Sequence, residues 1–175
     1  LRIKLIALLS FLGGILGLKY WHTVVFKIGI ICLLNPMSIA IVTFVFTVYL
    51  LSLMGGILLF KNKRLGYVFV MVSYVCQIPV IITSALNYHI TSGAKLWLTF
   101  IHMPFLTKID MHFKLGSKFA FSFYNAFEGY IIGVNVLAII IVSYLIKNFS
   151  IIKTANNYGN ESVVKRAYSS REFIK

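Results

Sequence analysis

The sequence predicts an all-α membrane protein: a four-transmembrane-helix bundle with a partly extended outer loop, open to a β-hairpin, before the last helix. Three observations carry this reading. Hydrophobic residues make up 59% of the 175 and charged residues 12%, against roughly 45–50% and about 25% in an ordinary soluble domain. Mean hydropathy is +0.89. Apolar runs bounded by cations recur along the chain, and about 20 helical residues cross a ~30 Å hydrocarbon core.

The spans fall at about 5–21, 36–60, 65–86 and 127–146. In the first, Arg2 and Lys4 precede an apolar stretch that ends at Lys19-Tyr20-Trp21, a snorkelling cation beside two interfacial aromatics. A secretory signal has the same outline, but Gly17-Leu18-Lys19 offers no small-x-small cleavage site, which favours a retained helix. Asn35-Pro36 opens the second span with a good N-cap and a proline at the first helical position. Lys61-Asn62-Lys63-Arg64 is a tight basic turn into the third.

Residues 87–126 form the outer loop. Phe113, Leu115, Ser117, Phe119, Phe121 and Phe123 alternate with His112, Lys114, Gly116, Lys118, Ala120 and Ser122, the period of a half-buried strand. Leu96 to Phe105 is also rich in strand formers, and an interfacial amphipathic helix is the other reading of this loop. The membrane domain thus covers 1–148, and a basic cytoplasmic tail covers 149–175.

The 17 Lys and Arg against 4 Asp and Glu give a net charge of +13. On a soluble fold this would suggest nucleic acid. Cations flanking apolar spans point instead to anionic lipid headgroups, so the bilayer is the expected partner and nucleic acid is not. Eleven basic residues fall on one side of four spans and six on the other. The positive-inside rule then gives a multi-pass protein of the inner membrane with both termini cytoplasmic.

Little in the chain carries chemistry. Cys32 and Cys76 sit singly in apolar runs, and no CxxC, HExxH or GxSxG occurs. His22, His89, His102 and His112 fall in or beside outer loops, and Asp110, Glu128, Glu161 and Glu172 lie outside the span interiors. No enzyme, metal or cofactor is expected. The spans hold small residues instead: Gly13 and Gly17, Ser52 and Gly56, and Gly129 and Gly133 are small-xxx-small pairs for close helix packing. Thr47, Gln77 and Asn135 fall at one depth, roughly 18–20 Å from the cytoplasmic ends at 1.5 Å per residue. They form a candidate polar layer, structural or the floor of a pocket.

Gly13-Gly14, the stretch from Gly55-Gly56 through Lys61-Asn62-Lys63-Arg64 to Tyr67, and Gly133-Val134-Asn135-Val136-Leu137 together resemble small uncharacterised bacterial four-helix integral membrane proteins. The resemblance implies four helices with an outer loop before the last, and it carries no activity. The expected function is a non-catalytic accessory, assembly or regulatory membrane subunit, with another membrane protein or a second copy as partner. The alternative is a small-solute binding or transport subunit using the polar layer.

Overall fold

The computed structural model describes residues 2–32, 36–123 and 128–149. Three helices come first: α1 (Arg2–Cys32), α2 (Pro36–Phe60) and α3 (Arg64–Val75). Six strands follow: β1 (Pro79–Thr83), β2 (Leu86–Thr91), β3 (Ala94–Met103), β4 (Leu106–Leu115), β5 (Lys118–Phe123) and β6 (Tyr130–Asn135). A fourth helix, α4 (Val136–Phe149), runs on from β6. The strands make one antiparallel sheet in the order β4-β3-β6-β1-β2-β5.

Helices α1 and α2 lie antiparallel and close. Gly14 meets Leu53, Gly17 meets the Tyr49 ring, and Gly56 meets Ala7 and Phe11. The Ser52 hydroxyl donates to the Ser10 carbonyl across the seam (3.0 Å). Helix α2 ends in a Schellman turn: Asn62 has φ 51°, and the amide of Lys63 reaches back to the carbonyl of Leu58 (2.9 Å). One apolar core joins the four helices through Ala7, Leu59, Tyr67, Val70, Tyr74 and Leu145. A second, of Val45, Val48, Tyr49 and Ile90, fastens α2 to β2.

The sheet is built on one long hairpin. Ile90 faces Phe119, Thr91 faces Lys118 and Ala94 faces Leu115, so β2–β3 and β4–β5 are two continuous arms in one register. Both arms bend at the same level. Gly93 (φ 87°) and Gly116 (φ 119°) sit opposite each other, joined by the Gly116 amide and the Gly93 carbonyl (2.7 Å). Only glycine takes such angles without strain. The bend lets β2 pair with β1 while β3 pairs with β6, and β1 and β6 pair with each other.

This architecture corrects the all-α reading. The 65–86 run is not one helix. Helix α3 stops at Val75, because Pro79 lacks an amide hydrogen and Val80, Ile81, Ile82 and Thr83 are β-branched residues that favour a strand. The 127–146 run is likewise divided, into β6 and α4. Residues 87–123, expected as a loop with a short extended pair, form four strands of the sheet. Two helices, Arg2–Phe26 and Pro36–Phe60, are long and apolar enough by length and composition to cross a membrane; α3 and α4 are too short.

A four-transmembrane bundle is therefore not the fold, and the resemblance to four-helix integral membrane proteins fails with it. The multi-pass inner-membrane placement with cytoplasmic termini rested on counting cations between four spans, and it loses that basis. So does the bilayer with anionic headgroups as partner. The accessory, assembly or regulatory membrane subunit and the transport subunit both presupposed the helix bundle and are withdrawn. The basic tail, 150–175, lies outside the described residues.

Candidate functional site

Alternation along the bent hairpin separates two faces. Tyr88, Ile90 and Ser92 point toward the helices, where Ser92 and Ser52 share a hydrogen bond (2.9 Å). Beyond the bend the same face leaves Leu98, Phe100, Ile109, Met111 and Phe113 exposed. The opposite, inner face carries Asn87, His89, Thr91, Lys95, Trp97 and Thr99 on one arm. On the other arm it carries His112, Lys114 and Lys118.

The bend gathers these residues. Thr91, Lys95, Lys114, Gly116, Ser117 and Lys118, with Tyr20 from α1, line a pocket of about 130 Å³. That is room for roughly four waters at ~30 Å³ each. Among the described residues, three of those lining it are lysines and none is acidic. Lys95 is only 7% exposed, while Lys114 and Lys118 stand at the rim. Its Nζ lies 3.1 Å from the centroid of the Trp97 ring. Burial, then the charges of Lys114 and Lys118, push the Lys95 ammonium down to about 8.

The small polar groups of the bend are already engaged. Ser117 Oγ donates to the Gly13 carbonyl (2.7 Å) and accepts from the Gly93 amide (3.2 Å). Thr91 Oγ1 and the Lys118 backbone exchange two bonds of 3.1 Å. The pocket lining also brings three ammonium side chains and Tyr20. Such a site recognises charge rather than a planar shape.

Beside the pocket, the His89 and Trp97 rings meet edge to face with centroids 5.1 Å apart. Burial, then the charges of Lys95 and Lys118, push His89 down to about 4, so its ring is neutral at pH 7. Asn87 Oδ1, His89 Nδ1 and Trp97 Nε1 are buried and make no hydrogen bond among the described residues.

The expected polar layer is taken apart by the fold. Thr47 is exposed and donates to the Thr43 carbonyl of its own helix (2.8 Å). Gln77 and Asn135 are fully buried. Gln77 Oε1 accepts from the Ser92 amide (2.8 Å), and Asn135 Oδ1 accepts from the Leu96 amide (3.1 Å). They therefore pin the arm on either side of Gly93. Asn135 Oδ1 also accepts from Ala138 (3.4 Å), as the N-cap of α4, and its own amide donates to the Ile78 carbonyl (2.8 Å). Of the packing glycines, Gly17 and Gly56 serve the α1–α2 seam and Gly13 abuts Ser92 and Gly93. Gly129 and Gly133 meet β3, at His102 and at Leu98 and Thr99, rather than a helix.

Sequence reasoning passed over the three lysines as outer-loop cations. A mark was present: Ser92-Gly93-Ala94-Lys95 and Lys114-Leu115-Gly116-Ser117-Lys118 place Ser-Gly opposite Gly-Ser in antiparallel register, with lysines flanking. Among the described residues, no group of three metal-ligating side chains comes together. Comparison with protein-family models, with curated proteins and with solved structures returns no match.

Proposed function

We propose that the protein binds a small anion in the pocket at the hairpin bend. The observation that supports this most is the convergence of Lys95, Lys114 and Lys118 on one pocket whose lining, among the described residues, holds no carboxylate. Like charges repel and desolvation adds to the cost, so the arrangement opposes folding unless an anion neutralises it. The pocket's size suits a phosphate, sulfate or carboxylate group rather than a nucleotide.

Calorimetric titration of the purified protein with inorganic phosphate tests this reading. One saturable site is expected. Lys118→Ala should weaken it roughly tenfold, the equivalent of ~1.4 kcal/mol. Lys61→Ala, at the exposed α2–α3 turn, should leave it unchanged. Absence of saturable binding by phosphate, sulfate and acetate alike overturns the reading, as does equal loss in the two variants.

A further inference from the structure

The three lysines are not equivalent. Lys114 and Lys118 are exposed at the rim, whereas Lys95 is buried at the base, its Nζ packed against the Trp97 ring. The face of the Trp97 ring favours the ammonium, but among the described residues no carboxylate lines the pocket and two further lysines do. Crowding by like charge and removal from water are the two conditions that leave a lysine amine with a free lone pair at moderate pH. Lys95 lines the same pocket as the two rim lysines, so a ligand held by the rim lies beside it.

We infer that Lys95 is a reactive amine that condenses with a small carbonyl compound whose anionic group sits on Lys114 and Lys118. This rests on the anion-binding reading and names its substrate class: an aldehyde or ketone bearing an adjacent carboxylate or a nearby phosphate. The neutral amine attacks the carbonyl carbon, forming a C–N bond, and the carbonyl oxygen takes up a proton. The resulting carbinolamine loses its hydroxyl together with the remaining nitrogen hydrogen as one water. An imine remains, with no change of oxidation state, and hydrolysis reverses it. The first proton comes from the attacking nitrogen itself, relayed by solvent, and Tyr20 lines the same pocket.

Geometry separates Lys95 from the lysines at the α2–α3 turn. Lys61 and Lys63 are exposed, so they report the reactivity of ordinary surface amines in the same molecule.

The experiment is reductive trapping. The full chain is incubated with glyoxylate and cyanoborohydride at pH 7.5, and carboxymethyl-lysine is mapped by peptide mass spectrometry. Lys95 should be modified at least tenfold faster than Lys61 and Lys63. Inorganic phosphate should slow Lys95 without touching the other two. Lys118→Met should slow Lys95 severalfold, while Lys95→Met should leave Lys114 and Lys118 no more reactive than Lys61. If phosphate binds but Lys95 reacts no faster than Lys61, or if Lys114 or Lys118 is the preferred site, the inference fails and the anion site stands. If phosphate neither binds nor protects, both fail.

Discussion

His89 and Trp97 lie eight residues apart on one arm of a hairpin, and their rings are 5.1 Å apart. A straight strand at ~3.3 Å per residue would hold them ~26 Å apart. The contact is the product of the bend at Gly93, and Lys95 lies between the two rings in sequence. Whatever sets the bend also sets the lysine pocket.

The contact gives the fold a dependence on acid. Burial and the charges of Lys95 and Lys118 hold His89 at about 4, below its ordinary 6.5. Between those values the unfolded chain takes up a proton that the folded chain refuses. Stability therefore falls as pH drops from about 6.5 to about 4 and changes no further through this group below that. His89→Phe keeps an aromatic ring against Trp97 and removes the titration. Urea unfolding at pH 7 and pH 4.5 should show a smaller loss in the variant; equal losses would show that His89 is not the source.

The two bend glycines should differ in cost. A Cβ on Gly93 would meet the Leu9 carbonyl at 2.6 Å, whereas one on Gly116 meets nothing within 4 Å. Both positions have φ values that side chains avoid. Gly116→Ala then carries the backbone cost alone, on the order of 1–2 kcal/mol. Gly93→Ala adds a clash with α1 and should cost at least about 2 kcal/mol more. Thermal or denaturant midpoints compare them, and equal destabilisation would mean that α1 yields to the new methyl group.

Helix α2 coincides with the 36–60 apolar run, whose only proline stands at the first helical position. The runs at 65–86 and 127–146 hide a helix and a strand each. Val80-Ile81-Ile82 of β1 and Tyr130-Ile131-Ile132 of β6 put apolar residues on both faces of their strands, so hydropathy does not separate them from a helix. The markers were local: Pro79 before four β-branched residues, and Asn135 as the N-cap of α4 rather than a mid-membrane amide. The pocket was less accessible still. Lys95 and Lys114 are nineteen positions apart and meet through the hairpin register, which the alternation of 113–123 hints at for one arm only.

The former polar layer makes a three-way test. Asn135→Leu removes the acceptor for the Leu96 and Ala138 amides inside the protein. It should cost about 2–3 kcal/mol. Gln77→Leu orphans the Ser92 amide and costs about 1–3 kcal/mol. Thr47→Ala removes an exposed bond to its own helix and should stay within about 0.5 kcal/mol. Three equal effects in denaturant titrations would mean that the residues act as one layer after all.

The lysine pocket should respond to base in two opposed ways. Lys95 is held at about 8, below the ordinary 10.5, by burial and then by Lys114 and Lys118. Tyr20 lines the same pocket, and His89 and His112 share the sheet face with Lys95; His89 is neutral above pH 7. Without an anion, the unfolded chain binds one more proton than the folded chain between about 8 and 10.5. Stability contributed by this group therefore rises with pH across that window. Anion binding has the opposite sign, because it needs the charged amine. Sulfate keeps its charge throughout and isolates the protein's titration from the ligand's. Its affinity should fall as pH rises through about 8, then level off at what Lys114 and Lys118 supply. Lys95→Met should bind sulfate more weakly at pH 7 and lose the step near 8. Titrations at constant ionic strength from pH 6.5 to 9 decide it: a wild-type affinity flat through that range would place the Lys95 charge outside the site.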